Sequence, residues 1–276
     1  MKTKDTRLDT EDTQLNLDFL ISVIIFHIVT IGAIYQLVID FKWSLLLLAL
    51  FIWPISHGVG LAVGYHRLLT HRGFKTRKWL EYIITICGSL TLQGQHIKWI
   101  AIHRKHHAFT DLPEDPHSPK KSFYHAHFGW MLNGDQSFLT EEFLQKYAKD
   151  LYKDSFHRFL NRFWFLPSVV YGTILFLIGG LPWLVWGTIV PVTIGLHLTW
   201  FVNSACHIWG SRMFPTADDS RNNWWVALLT WGEGWHNNHH DKPARARHGL
   251  TPWQIDFSWM FIWTLEKIGL IRDIKL

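Results

Sequence analysis

Half of the 18 histidines in this 276-residue chain fall into a spacing that could hold metal. They are His66-Arg-Leu-Leu-Thr-His71, His103-Arg-Lys-His106-His107, His236-Asn-Asn-His239-His240 and the separate His207, four residues after Asn203. Neutral imidazole is the commonest metal ligand in proteins. Each helical residue turns about 100°, so positions i, i+3 and i+4 share one face. Each HxxHH therefore presents three imidazoles from one side of a helix. Two such faces plus the first pair give more ligands than one ion takes, which points to a two-metal centre built almost wholly of histidine. A lone histidine is ordinarily a surface or satisfied core residue; the repetition of one spacing twice, with a pair elsewhere, argues against that here.

The elements that must position these rings lie in a membrane. The chain is 48% hydrophobic and carries 17 Trp, a load suited to the membrane–water interface, where amphipathic rings collect. Residues 17–39, 44–64, 164–178 and 181–203 are apolar runs of near-spanning length. The short connections 40–43 and 179–182 make two helical hairpins. Of 27 Lys and Arg only Lys42 falls in a tip, so the positive-inside rule puts the termini and the long 65–163 segment in the cytoplasm. That distribution explains the net charge of +5 without nucleic acid. Residues 79–95 are largely apolar but short and carry Glu81. A span there would part His66 from His103, so an interfacial or cap-buried helix is expected. Met1 to Asn16 is polar and charged, unlike a secretory signal. Cys87 and Cys206 offer no disulfide framework.

The expected fold is all-α: four transmembrane helices in two hairpins, with a helical cytoplasmic cap carrying a histidine-ligated dimetal site. In chain order these are a cytoplasmic tail (1–16), the first hairpin (17–64), a cap segment with the first two clusters (65–163), the second hairpin (164–203) and a closing cap segment with His207 and the last cluster (204–276). Together they form one integrated catalytic domain.

These residues resemble the membrane-bound fatty-acyl desaturases. The order HxxxxH, HxxHH, HxxHH carries the resemblance, with Gly64-Tyr-His-Arg-Leu, Asp115-Pro-His117, Phe128-Gly-Trp130, Trp200-Phe-Val-Asn-Ser204 and Gly232-Glu-Gly-Trp-His236. The HxxxxH spacing is similar to the Δ9-type members, whereas methyl-end members usually have HxxxH. The run Trp224-Trp-Val-Ala-Leu-Leu is similar to bacterial and cyanobacterial members. The resemblance implies two iron ions, oxygen as co-substrate and introduction of a cis double bond into a saturated acyl chain. It assigns His66, His71, His103, His106, His107, His207, His236, His239 and His240 as ligands, with Asn203 acting through water. Zinc, which has no redox chemistry, is excluded as the working metal. Animal acyl-CoA members have Arg-Asp before the second cluster; here Ala101-Ile102 stands there, which favours a glycerolipid over CoA as carrier. No HPGG motif is present, so a separate ferredoxin-like or cytochrome b5-like donor is implied.

Ligating histidines usually donate their second N–H to a carboxylate or carbonyl. Asp111, Asp115 and Glu233 are the acids near the clusters. His27, His57 and His197 lie within the spans and are expected to hydrogen-bond between helices; His96, His117, His125, His127, His157 and His248 are left to the cap or its surface. Tyr65, Trp99 and Trp200 are candidates to line an acyl tunnel. Two competing readings remain: a related hydroxylase, separable by its product, and a membrane metal-binding or transport protein, which would place ionisable groups along a midplane path.

Overall fold

The computed structural model describes residues 15–133 and 136–276, so most of the expected tail lies outside the described residues. The fold is mostly helical. Helix α1 (Leu17–Ile39) starts where Asn16 accepts from Phe19 N–H at 3.1 Å. Helix α2 (Trp43–Trp53) runs without interruption into a π-wound segment, Pro54–Thr70, whose bonds close from i to i+5. Strand β1 (Lys75–Thr76) and helices α3 (Lys78–Ser89) and α4 (His96–Phe109) follow. After a loop and a π turn at His125–Gly129 come the short α5 (Trp130–Leu132), then α6 (Glu141–Tyr152) and α7 (Ser155–Arg162). The second membrane segment comprises α8 (Leu166–Leu184) and α9 (Val190–Asn203). Four short or medium helices finish the cap: α10 (Ala205–Ile208), α11 (Trp224–Leu229), α12 (His236–Asp241) and α13 (Phe257–Lys267). Strand β2 (Ile271–Arg272) pairs antiparallel with β1.

Among the described residues three helices, not four, are long and apolar enough to cross a membrane: Leu17–Ile39, Trp43–Thr70 and Leu166–Ile208. The difference from the expected four spans lies in the second hairpin. Its two arms form one helical run broken at Gly179 and Gly180, where Gly180 takes φ +66°, a conformation that favours glycine. The chain reverses there, bringing the side chains of Leu184 and Leu175 over Gly172 and Gly187. The returning arm is the hub: α1, α2 and the first arm of α8 all lie against it. Thr30 Oγ1 on α1 donates to Thr193 Oγ1 at 2.9 Å, and the half-buried His27 meets His197 at 2.8 Å, which joins α1 to α9 as expected; His57 departs from that expectation, its Nδ1 meeting only the hydroxyl of Ser56 on its own segment at 2.9 Å. Outward-facing residues such as Ile28, Ile31 and Val38 are largely exposed.

Helix α3 is 12 residues, about 18 Å long, short of the ~30 Å hydrocarbon core. Its inner face presses on the π segment so closely that a side chain on Gly60 would collide with the Gly88 backbone. Its outer face shows Trp79, Ile83 and Ile86. The cap core forms where the π segment, α3, α4, α6 and α13 meet around Tyr65, Ile84, Ile97, Ile100 and Ile262.

Candidate metal centre

The π winding decides how the first pair of histidines works. In an α-helix, residues five apart point about 140° away from each other. Here His71 N–H bonds to His66 O at 3.1 Å, closing an i to i+5 ring, and the two imidazoles lie 4.7 Å apart. Helix α4 adds the second cluster and α12 the third. Two buried asparagines hold α12 in place. Asn237 Oδ1 accepts from Met213 and Phe214 N–H, both at 2.7 Å; Asn238 exchanges hydrogen bonds with Asn222 and donates to His248 O at 2.9 Å.

The nine histidines form two groups of potential ligands: His66, His71, His103, His107 and His239 in one, and His106, His207, His236 and His240 in the other. Within each, one nitrogen per ring lies within 4.8 Å of all the others. Each HxxHH is split between the groups. Positions i+3 and i+4 stand about 60° and 40° to either side of i, so a helix wedged between two sites can serve both. In α4, His103 and His107 face one group and His106 the other; in α12 the division is reversed, with His239 alone in the first group. His207, buried on α10, joins the second.

Four of these rings have their Nδ1 facing a carboxylate: His66 with Glu233, His106 with Asp115 at 2.9 Å, His207 with Asp111 at 3.2 Å and His240 with Asp218 at 2.9 Å. A carboxylate accepts, so Nδ1 carries the proton and Nε2 is a bare lone pair. Those lone pairs point inward. Nε2 atoms of His66 and His239 are 3.1 Å apart, those of His107 and His239 3.0 Å, those of His103 and His107 3.1 Å, and those of His207 and His236 3.0 Å. Nε2 of His71, His106 and His240 is buried with no hydrogen-bond partner. Nitrogens about 2.1 Å from a common ion, at right angles, are about 3.0 Å apart. The donor set therefore fits one metal ion in each group. Burial, reinforced by neighbouring imidazoles, holds His71, His103, His107, His236, His239 and His240 well below the usual imidazole range, in the neutral form that binds metal.

All three acids singled out from the sequence touch candidate ligands, and so does a fourth, Asp218. Its signal was weak, because it lies 22 residues before His240 in an irregular loop. Burial alone would raise the carboxyls of Asp111 and Asp115, but His207 and His106 beside them bring both below the usual range. Sequence reasoning also missed Arg67. It is 1% exposed and donates to Glu233 Oε1 at 2.9 and 3.1 Å, to Asp256 at 3.1 Å and to Ala246 O at 2.8 Å. His248 and His117, left to the cap or surface, are buried against the groups, with rings 4.5 Å from His239 and 4.3 Å from His106.

A mainly apolar cavity opens beside the first group, between the π segment and α9. His66, His103 and Glu233 form one wall, Leu61, Leu198 and Val202 others, and Asn203 also lines it. Its far end holds His57, stacked on Trp53 at 4.4 Å, with Gly195 leaving room for its ring. Of the three residues expected to line a tunnel, Trp99 does so, stacked on His103 at 5.2 Å. Tyr65 and Trp200 lie outside the lining. The π segment turns Tyr65 toward α3, where its hydroxyl meets Ser89 at 3.2 Å and its ring covers Gly88. Trp200 packs among Phe19, Phe128 and His127.

Paired imidazole groups over a bundle of membrane-length helices, with an apolar cavity alongside, define a helical membrane protein equipped for metal chemistry on an apolar substrate. Comparison with known proteins narrows this. Residues 41–254 match the fatty acid desaturase family model. The chain is 44% identical over 236 residues to the sn-1 stearoyl-lipid 9-desaturase of Synechocystis sp., covering 86% of this chain and 73% of that one. It is 40% identical to the sn-1 stearoyl-lipid 9-desaturase of Anabaena variabilis (89% and 90% covered) and 42% identical to the acyl-CoA 5-desaturase AL21 of Anemone leveillei (91% and 79%). The chain belongs to the fatty acid desaturase family. It is an oxidoreductase that desaturates fatty-acyl chains.

Proposed function

We propose that this protein introduces a cis double bond at the Δ9 position of a saturated chain carried by a membrane glycerolipid, using oxygen and two iron ions. The balanced reaction takes –CH2–CH2–, O2, two electrons and two protons to –CH=CH– and two waters. The convergence of one nitrogen from each of nine rings into two groups is the observation that carries this reading. His66, His71, His103, His107 and His239 would hold one ion; His106, His207, His236 and His240 the other, with Asn203 acting through water. Iron in such nitrogen-rich surroundings, when bound, supplies the capacity to activate oxygen.

The chain's own residues do the rest. Glu233, Asp111, Asp115 and Asp218 fix ring orientation by accepting the Nδ1 protons. Arg67 balances Glu233 and Asp256 behind the first group. The cavity walls at Leu61, Leu198 and Trp99 exclude water and align an extended acyl chain past His66 and His103. Electrons come from a separate ferredoxin-like or cytochrome b5-like donor. The charge asymmetry supports a cytoplasmic site and termini.

Expression in a host with a defined lipid pool, followed by double-bond mapping by mass spectrometry, tests the reaction. A Δ9 cis product with two irons per purified chain is expected. A hydroxylated product, or an active preparation with fewer irons, would overturn it.

A further inference from the structure

A second apolar feature lies on the outer face of α11. Trp224, Leu228, Trp235, Trp253 and Ile255 line an open groove, in which Trp224 is 67% and Trp253 63% exposed. Trp235 stands edge-on to Trp253 at 5.5 Å and donates its indole N–H to Ile255 O at 2.7 Å, so it offers the groove no free donor. The groove and the cavity beside the first histidine group share this helix. Leu228 lines the groove; Leu229, the next residue, lines the cavity and is the exposed residue in its lining, which marks the cavity's rim. Consecutive helical residues point about 100° apart, so the two sites occupy adjacent faces of α11. Trp231 sets the height of α11 over the membrane helix, its indole occupying the space that a side chain on Gly58 would need.

We infer that the groove receives the second, non-reacting acyl chain of a diacylglycerolipid whose other chain enters the cavity at Leu229. This rests on the acyl-lipid reading given above and deepens it. Two apolar channels that diverge from one short helix suit a molecule with two tails joined at one glycerol. An acyl-CoA brings one tail and leaves the groove empty. Exposed apolar surface of this kind marks an interaction site, and indoles at its edge suit the interfacial depth at which a glycerol backbone sits. Met260 and Trp263 on α13 are likewise exposed apolar side chains, a second surface of the cap suited to contact with the bilayer.

The test uses the full chain in lipid vesicles. Wild-type protein is photolabelled with a diacylglycerolipid bearing a diazirine in one chain, and the adducts are mapped. Labelling of 224–228 and 253–255 is expected; labelling confined to the membrane helices would overturn the assignment. This readout does not require turnover, so a failure of desaturation and a failure of the groove are told apart. In parallel, Leu228→Ser with Trp253→Ser is compared with wild type on a stearoyl diacylglycerolipid and on stearoyl-CoA. The ratio of lipid to CoA turnover should fall about tenfold. An unchanged ratio overturns the proposal, whether both activities persist or both fall together. A changed oligomeric state with equal losses would instead assign the groove to a second copy of the chain.

Discussion

The two histidine groups differ in what stands behind them. The first has five imidazoles, one carboxylate in contact and a buried guanidinium behind that carboxylate. The second has four imidazoles and three carboxylates, Asp111, Asp115 and Asp218. The first borders the apolar cavity through His66 and His103; no histidine of the second lines it. A metal in the second group would therefore sit in a more negative field, better suited to holding positive charge, while the first offers proximity to substrate. The comparison teaches that rings of one type, several of them from helices shared by both groups, become inequivalent through their number, their outer partners and their access to the cavity.

The largest effects should come from removing a ring. His107→Ala and His240→Ala are each expected to abolish desaturation and to lower bound metal by one ion per chain, from different groups. Metal analysis with spectroscopy of the remaining ion would show which; loss of both ions from either variant would merge the groups into one cooperative site. Next comes Arg67→Met, which leaves Glu233 and Asp256 buried without their cation. Breaking a buried ion pair costs about 3–5 kcal/mol, so a clear drop in thermal stability in detergent is expected, with the first group's ion lost first.

Changing an outer carboxylate should separate the groups more finely. Such changes cost about 10–100-fold in metal affinity or activity. Glu233→Gln should lie near the upper end, because among the described residues no other carboxylate touches the first group. Asp218→Asn should lie near the lower end, because Asp111 and Asp115 remain. Equal losses on metal titration would remove the asymmetry. The smallest effect concerns Asp150, which pairs with Arg104 at 2.7 Å; Arg104 also donates to Leu69 O and Thr70 O, tying α4 to the end of the π segment. Burial alone would raise its carboxyl, but Arg104 and Arg72 bring it down to about 2. A depressed carboxyl stabilises the fold above its unfolded pKa, near 4, and loses that contribution as pH falls through about 2. Asp150→Asn should remove this contribution to acid sensitivity, read from unfolding midpoints between about pH 5 and 2.

Much of the site was legible because metal chemistry fixes residue type and spacing locally. The membership of His66 through His240 followed from those spacings together with the family resemblance. The division between two groups did not follow, because it depends on where α4 and α12 sit relative to each other. Asp218 and Arg67 were missed for a related reason: their partners are 22 and 166 residues away, and only tertiary structure brings them together. Tyr65 shows the limit most plainly. Its place next to His66 suggested a tunnel wall, but neighbouring helical residues point in different directions, and this one faces α3. Tyr65→Ala should therefore cost about 3–5 kcal/mol, as other large aromatic truncations do, without moving the double bond.

The π-wound turn at His66–His71 also bears on how the first cluster is spelled. A four-residue step brings two rings together on an α-wound helix, and a five-residue step does so on this one. HxxxxH and HxxxH then describe the same pair of rings, with one inserted residue absorbed as a wider coil rather than as a shifted ligand. Deleting Leu68 or Leu69 would amount to respelling the motif: the last turn would tighten, and the second ring would return to its place one residue earlier.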